Sequence, residues 1–180
     1  MNWLPEVAAA VLAAVVAITL HEAAHGYAAL ALGDDTAKRM GRLSLNPLRH
    51  VDLIGTVLVP GVLLLGQLLT IGRVEAMFGW ARPVPVNPLA LRDPRRGMML
   101  VAAAGPATNF ALAWISGLLL HLATGADGFL SVESMNWVYR TLLLSIVANL
   151  VLGMFNLLPI PPLDGGRILA GLLPARLAQS

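Results

Sequence analysis

A His21-Glu22-Ala23-Ala24-His25 run sits inside continuous apolar sequence, and the nearest charges beyond it are Glu6 and Asp34. Ionisable side chains in such a segment are costly and mark function by default. On a helix, residues four apart share a face, so His21 and His25 can reach one metal ion together. Glu22 lies about 100° further round and can flank that ion without binding it. Two histidines with an adjacent glutamate is the donor set of a hydrolytic zinc site, with the glutamate as general base.

The surrounding chain decides where such a site can sit. Of 180 residues, 57% are hydrophobic and 12% charged, about half the charge fraction of an ordinary soluble domain. The sequence is that of an all-α polytopic membrane protein forming one domain over residues 1–180. Spanning helices are expected at about 5–32, 97–123 and 137–158, and a C-terminal segment at 163–180. The first is about 40 Å long at 1.5 Å per residue, enough to cross a bilayer. It places the histidines past the midplane. No Lys or Arg precedes this apolar run, which carries the motif, so it reads as a span and not as a cleaved leader. The absence of cysteine excludes disulfides and thiolate ligands. Basic residues read as topology signals at the membrane surface, not as a nucleic-acid surface.

Two stretches break helical expectation. Residues 79–88 hold Pro83, Pro85 and Pro88 and cannot be helical; at most they form an edge strand. Arg42 to Leu45 alternates as a short strand would. Leu53 to Ile71 is apolar but carries Pro60-Gly61, and it reads either as a span or as a re-entrant hairpin. Charge favours the hairpin. If 53–71 returns to the side it left, eleven of the twelve Lys and Arg residues share one face and only Arg140 is misplaced. That face is then cytoplasmic. The same arrangement brings Asp164 to the depth of His21 and His25; a spanning 53–71 would leave it on the opposite side.

Asp164 follows a proline-rich break at 159–162 and precedes two glycines. Alone it reads equally as a helix N-cap; beside a two-histidine helix lacking a third ligand, the metal role prevails. His50 reads as solvated or interfacial, and His121 as lying at the wrong end. Asn156 can donate to an oxyanion. Asn109 and Asn149 read as helix–helix hydrogen bonds, and Gly105-Pro106 as close packing with a kink.

Taken in order, His21–His25, Gly105-Pro106 with Asn109, the extended 79–88 stretch, and Asn156-Leu157-Leu158-Pro159 with Asp164-Gly165 resemble the site-2 protease family, in its prokaryotic branch lacking large soluble domains. The resemblance covers about residues 5–175. It implies one zinc ion per chain on His21, His25 and Asp164, Glu22 as general base, and Asn156 near the scissile carbonyl. It implies a membrane-protein or membrane-peptide substrate within the lipid bilayer of a prokaryotic cell membrane, the active site toward the cytoplasm. The family often continues into a further membrane helix; this sequence ends at Ser180. A metal-ion transporter and a catalytically silent scaffold are the other classes that intramembrane His and carboxylate permit. Neither an internal repeat nor enough spans for alternating access supports the transporter.

Overall fold

The computed structural model describes residues 3–73, 79–124 and 131–174. Part of the expected acidic loop, with Asp127, and the end of the C-terminal segment, with Arg176, lie outside them. The described residues form α1 (Trp3–Ala31), a single turn α2 (Thr36–Arg39), α3 (Val59–Thr70), α4 (Pro94–Ala123), α5 (Val132–Asn156) and α6 (Asp164–Leu172). Capping explains why two helices start earlier than hydropathy alone suggests. The Asp93 carboxylate accepts from the Arg95 and Arg96 amides, with Pro94 in the first turn; Ser131 accepts from the Ser134 amide ahead of α5. Both are ordinary N-cap geometries.

α1, α4 and α5 pack against one another as an up–down–up bundle. The Arg92 amide donates to the Leu32 carbonyl where α1 ends and α4 begins. Tyr139 of α5 donates to the Ala123 carbonyl at the far end of α4. The bundle is built small-side-in. Ala9, Ala13 and Ala17 are buried at four-residue intervals, while Val7, Val11, Leu12, Val15 and Val16 point outward. Lipid is as apolar as these side chains, so helices associate through close backbone approach and large residues are left to face the bilayer.

Arg140, the outlier of the charge count, is ion-paired with Glu6 at that far end.

The 53–71 stretch is not a hairpin. Leu53–Leu58 forms a π-helical turn that runs directly into α3, giving one continuous helix. Pro60 falls just past the π-helical turn, and the Gly55 carbonyl five residues before it takes the Trp80 amide in place of the N–H that proline lacks. Yet its flanks meet at one end of the bundle. The Trp80 amide donates to the Gly55 carbonyl and the Arg82 amide to the His50 carbonyl. The expectation of a break at Pro60-Gly61 is corrected. The segments on either side of it nonetheless touch, through these bonds and through the Asn87 amide on Asp34.

The expected β segments are corrected likewise. Residues 42–45 and 79–86 are non-helical, but no strand is present among the described residues. With prolines at 83, 85 and 88 there is no run of donors for a ladder. The remaining amides go elsewhere: Val84 to Glu22 and Asn87 to Asp34. The carbonyls of Arg82 and Pro83 accept from Arg42.

Asp34 is the clamp that holds this layer on α1. It is buried and accepts from the Thr36 amide and hydroxyl and from the Asn87 amide. Burial works to raise its carboxyl pKa, but those three hydrogen bonds outweigh it and hold the group below the usual range. A lowered folded value means the stabilisation is complete above the unfolded pKa of about 3.9 and is lost as pH falls through the folded one. Asp34→Ala is expected to cost about 1–3 kcal/mol at neutral pH, because it strands buried donors. The difference in unfolding midpoint between wild type and variant should shrink toward zero on acidification below pH 3.9; a constant gap would mean the carboxylate charge is not the clamp.

Candidate metal centre

His21 and His25 leave α1 on one face, as their spacing requires, and meet the first residue of α6. Asp164 Oδ2 lies 3.2 Å from His21 Nε2 and 3.3 Å from His25 Nε2. The two Nε2 atoms are 3.1 Å apart. Asp164 arrives there because α5 stops at Asn156, and the chain turns through Leu157–Leu163 before α6 starts. Gly165 makes that start possible: a Cβ there would run into the Leu157 and Leu158 carbonyls. Asp164 is thus no N-cap; that place belongs to Leu163, which makes no side-chain cap.

What the three atoms lack is a donor. His21 Nδ1 is 2.6 Å from Asn109 Oδ1, and His25 Nδ1 is 2.7 Å from the Val101 carbonyl. Both partners are acceptors, so both Nδ1 atoms carry the proton and both Nε2 atoms present lone pairs. The Asn109 oxygen is fixed in turn, since its amide donates to the Ala17 carbonyl and to Asn149 Oδ1. Asn149 donates to the Ser145 carbonyl. Asp164 Oδ2 is buried without a hydrogen-bond donor. Three electron-rich atoms facing one another in a buried place repel unless a cation lies among them. Two neutral imidazoles, a carboxylate and an orienting hydrogen bond behind each ring match a zinc donor set, and the residues fit the metal.

Glu22 stands beside this trio on α1 and is held from the opposite layer. Its Oε2 accepts the Val84 amide at 3.0 Å. Val84 is buried, and it and Leu43 press on α1 at Gly26, within about 3 Å of where a Cβ would be. The prolines either side of Val84 have no N–H, so this one donor is what the segment offers Glu22.

Asn156 is the last residue of α5, and its amide donates to the Leu152 carbonyl of its own helix. His121 is exposed at the far end of α4. His50 is buried and not solvated; its Nε2 donates to the Ser44 carbonyl. Sequence reasoning missed the part of Asn109. Its signals were a polar residue in a membrane helix and its place in the Gly105-Pro106 motif; which partner it faces is set by how α1 and α4 pack. Asn109→Ala is expected to weaken zinc binding about 10- to 100-fold, read by competition with a chromophoric chelator. Unchanged affinity would mean that packing alone holds the His21 ring.

The model of peptidase family M50 matches residues 126–180, which include Asn156 and Asp164. Over 176 residues the chain is 42% identical to YwhC of Bacillus subtilis (strain 168), which carries a provisional zinc metalloprotease name; the match covers 91% of this chain and 68% of YwhC. It is 41% identical over 80 residues to Rip3 of Mycobacterium tuberculosis (strain ATCC 25618 / H37Rv), provisionally named in the same way, covering 44% of this chain and 19% of Rip3. A zinc metalloprotease of Methanocaldococcus jannaschii is 34% identical over 92 residues, covering 50% of this chain and 24% of that protein. No solved structure matches significantly. On a likeness to YwhC over nine-tenths of this chain's length, and a family match over the C-terminal segment that supplies Asp164, the chain belongs to peptidase family M50, the site-2 protease family.

Proposed function

We propose that this protein is an intramembrane zinc metalloendopeptidase that hydrolyses peptide bonds in or next to transmembrane segments of other membrane proteins. Its single membrane-embedded domain lies in a prokaryotic cell membrane, with the site toward the cytoplasm. The observation that carries the reading is the convergence of three acceptor atoms, from His21, His25 and Asp164, beside a carboxylate that is not one of them. Zinc metalloprotease names among the relatives support it.

His21, His25 and Asp164 would hold one zinc ion, which when bound supplies Lewis-acid activation of water and of the scissile carbonyl. Glu22 is the general base. With Oε2 engaged by the Val84 amide, Oε1 is the atom that takes a proton from the attacking water and passes it to the leaving amine. Asn109 keeps the His21 Nε2 lone pair turned inward. Asn156 has one N–H on the Leu152 carbonyl; we assign its second to the developing oxyanion. A substrate helix must unwind first, because its peptide groups are internally hydrogen-bonded.

The test is a purified, zinc-loaded preparation in nanodiscs with a single-pass substrate, followed by mass spectrometry of the products. One zinc per chain, cleavage within or beside the membrane segment, and arrest by a chelator with recovery on zinc addition are expected. Cleavage that persists without metal, or cuts confined to a soluble part of the substrate, would overturn the proposal.

A further inference from the structure

At the end of the bundle where the basic loops meet, Arg42, Arg49 and Arg82 line one cleft of about 310 Å³ together with Met40, Leu48 and Val51. The arginines come from sequence positions up to 40 apart, brought together by the contact between the two loops. No carboxylate forms an ion pair with any of the three among the described residues, whereas Arg39 and Arg96 nearby are paired with Asp35 and Asp93. Their donors reach only carbonyls: Arg42 Nη2 those of Arg82 and Pro83, and Arg49 Nη1 that of Gly41. Burial and the neighbouring Arg82 charge push the Arg42 guanidinium down from its usual range, and the more weakly felt Glu22 carboxylate does not offset them. Like charges gathered in one cleft with no carboxylate in direct ion pair call for an anion, and guanidinium forks match phosphate oxygens in pairs.

The rest of the cleft says what carries the phosphate. Leu48 and Met40 are largely exposed, as is Val51, and Asp52 directly after it caps the π-helical turn. From there Leu53, Ile54, Val57 and Leu58 continue as an exposed apolar surface. A charged pocket that opens onto a greasy wall suits an anion with acyl chains better than a soluble one. We propose that the Arg42, Arg49 and Arg82 cleft binds the phosphate headgroup of an anionic membrane lipid, whose chains lie along the exposed face of Leu53–Leu58. The bound headgroup would sit beside the Arg82 and Pro83 carbonyls, one residue from the amide that holds Glu22. The site stands independently of the hydrolytic chemistry.

The full chain in neutral-lipid nanodiscs doped with phosphatidylglycerol, with bound lipid counted by native mass spectrometry after mild delipidation, tests this. Wild type should keep about one phosphatidylglycerol per chain in preference to phosphatidylcholine. Arg49→Gln with Arg82→Gln should weaken that retention about tenfold or more. Arg39→Gln with Arg96→Gln, the same charge change at the same end, should leave it unchanged. Millimolar inorganic phosphate should not displace the lipid. Arg82→Lys, which keeps the charge and loses the fork, should weaken retention severalfold, and it serves if the double variant does not fold. No preference in wild type, an equal loss in the Arg39 and Arg96 variant, full retention by Arg82→Lys, or displacement by free phosphate would each overturn the proposal.

Discussion

Glu22→Gln is expected to leave zinc content and fold intact while cleavage of a single-pass substrate falls about 10²- to 10⁴-fold. The variant separates the two roles of the His21–His25 helix. Glu22 is not one of the three clustered donors, so its replacement removes no ligand. A glutamine oxygen can still accept the Val84 amide that Oε2 accepts now, so the extended segment keeps its hold on α1. The ability to take a proton is what disappears. The fall should appear in kcat with KM little changed, because substrate binding does not need the base. Undiminished kcat in zinc-loaded protein would remove Glu22 as the base. A parallel loss of zinc would instead show that the carboxylate supports the metal, and the mechanism would need another proton acceptor.

Both halves of the site were legible in the sequence for one reason: each is local. A four-residue spacing on a helix fixes His21 and His25 on one face whatever the rest of the chain does. A proline-rich break followed by Asp164-Gly165 announces a turn at membrane depth. Their meeting could be argued from charge counting, since only a layout with both basic loops on one side brings Asp164 to the histidines. The two loops do meet, with Asn87 bound to Asp34 and Arg82 to His50 across them. The device behind it was misread. Pro60-Gly61 looks like a break, but the helix runs through it, with the Gly55 carbonyl before the proline satisfied by the Trp80 amide from outside the helix. The extended segments were legible as non-helical. Their lack of a ladder was not, because the amides that would pair with a strand are taken by side chains from α1 and the loop after it. The partners of Asn109 and Val84 had no local signal. Each depends on the rotation of one element about its axis against another, and that is decided by packing of small residues such as Ala17 and Gly105.

Gly105→Ala is expected to give a folded protein with zinc content below about a tenth of wild type, though every proposed ligand is intact. Gly105 lies on α4 midway between Val101 and Asn109, which bond the two histidine rings. A Cβ on it would lie 2.6 Å from His21 Cε1, from His25 Cε1 and from His25 Nε2, well inside van der Waals contact. The fold can absorb this. Overpacking by one methyl costs about 1–3 kcal/mol, and replacing glycine by alanine within a helix returns about 1 kcal/mol. The metal site has no such tolerance, since ligands must be held within about 0.5 Å of working geometry. Backing away from the methyl shifts both rings from their present places, and the His25 ring cannot turn aside while its Nδ1 donates to the Val101 carbonyl. Gly117→Ala on the same helix is the control. The nearest atom to a Cβ there is Ile146 Cδ1 at 4.0 Å, so that variant gains the same helix propensity without touching the site and should keep its zinc. Elemental analysis of both variants, beside their unfolding midpoints, checks the expectation. Full zinc in Gly105→Ala would mean that α1 and α4 can separate at the histidines without loosening the ligands, and the close approach at Gly105 would then serve packing alone.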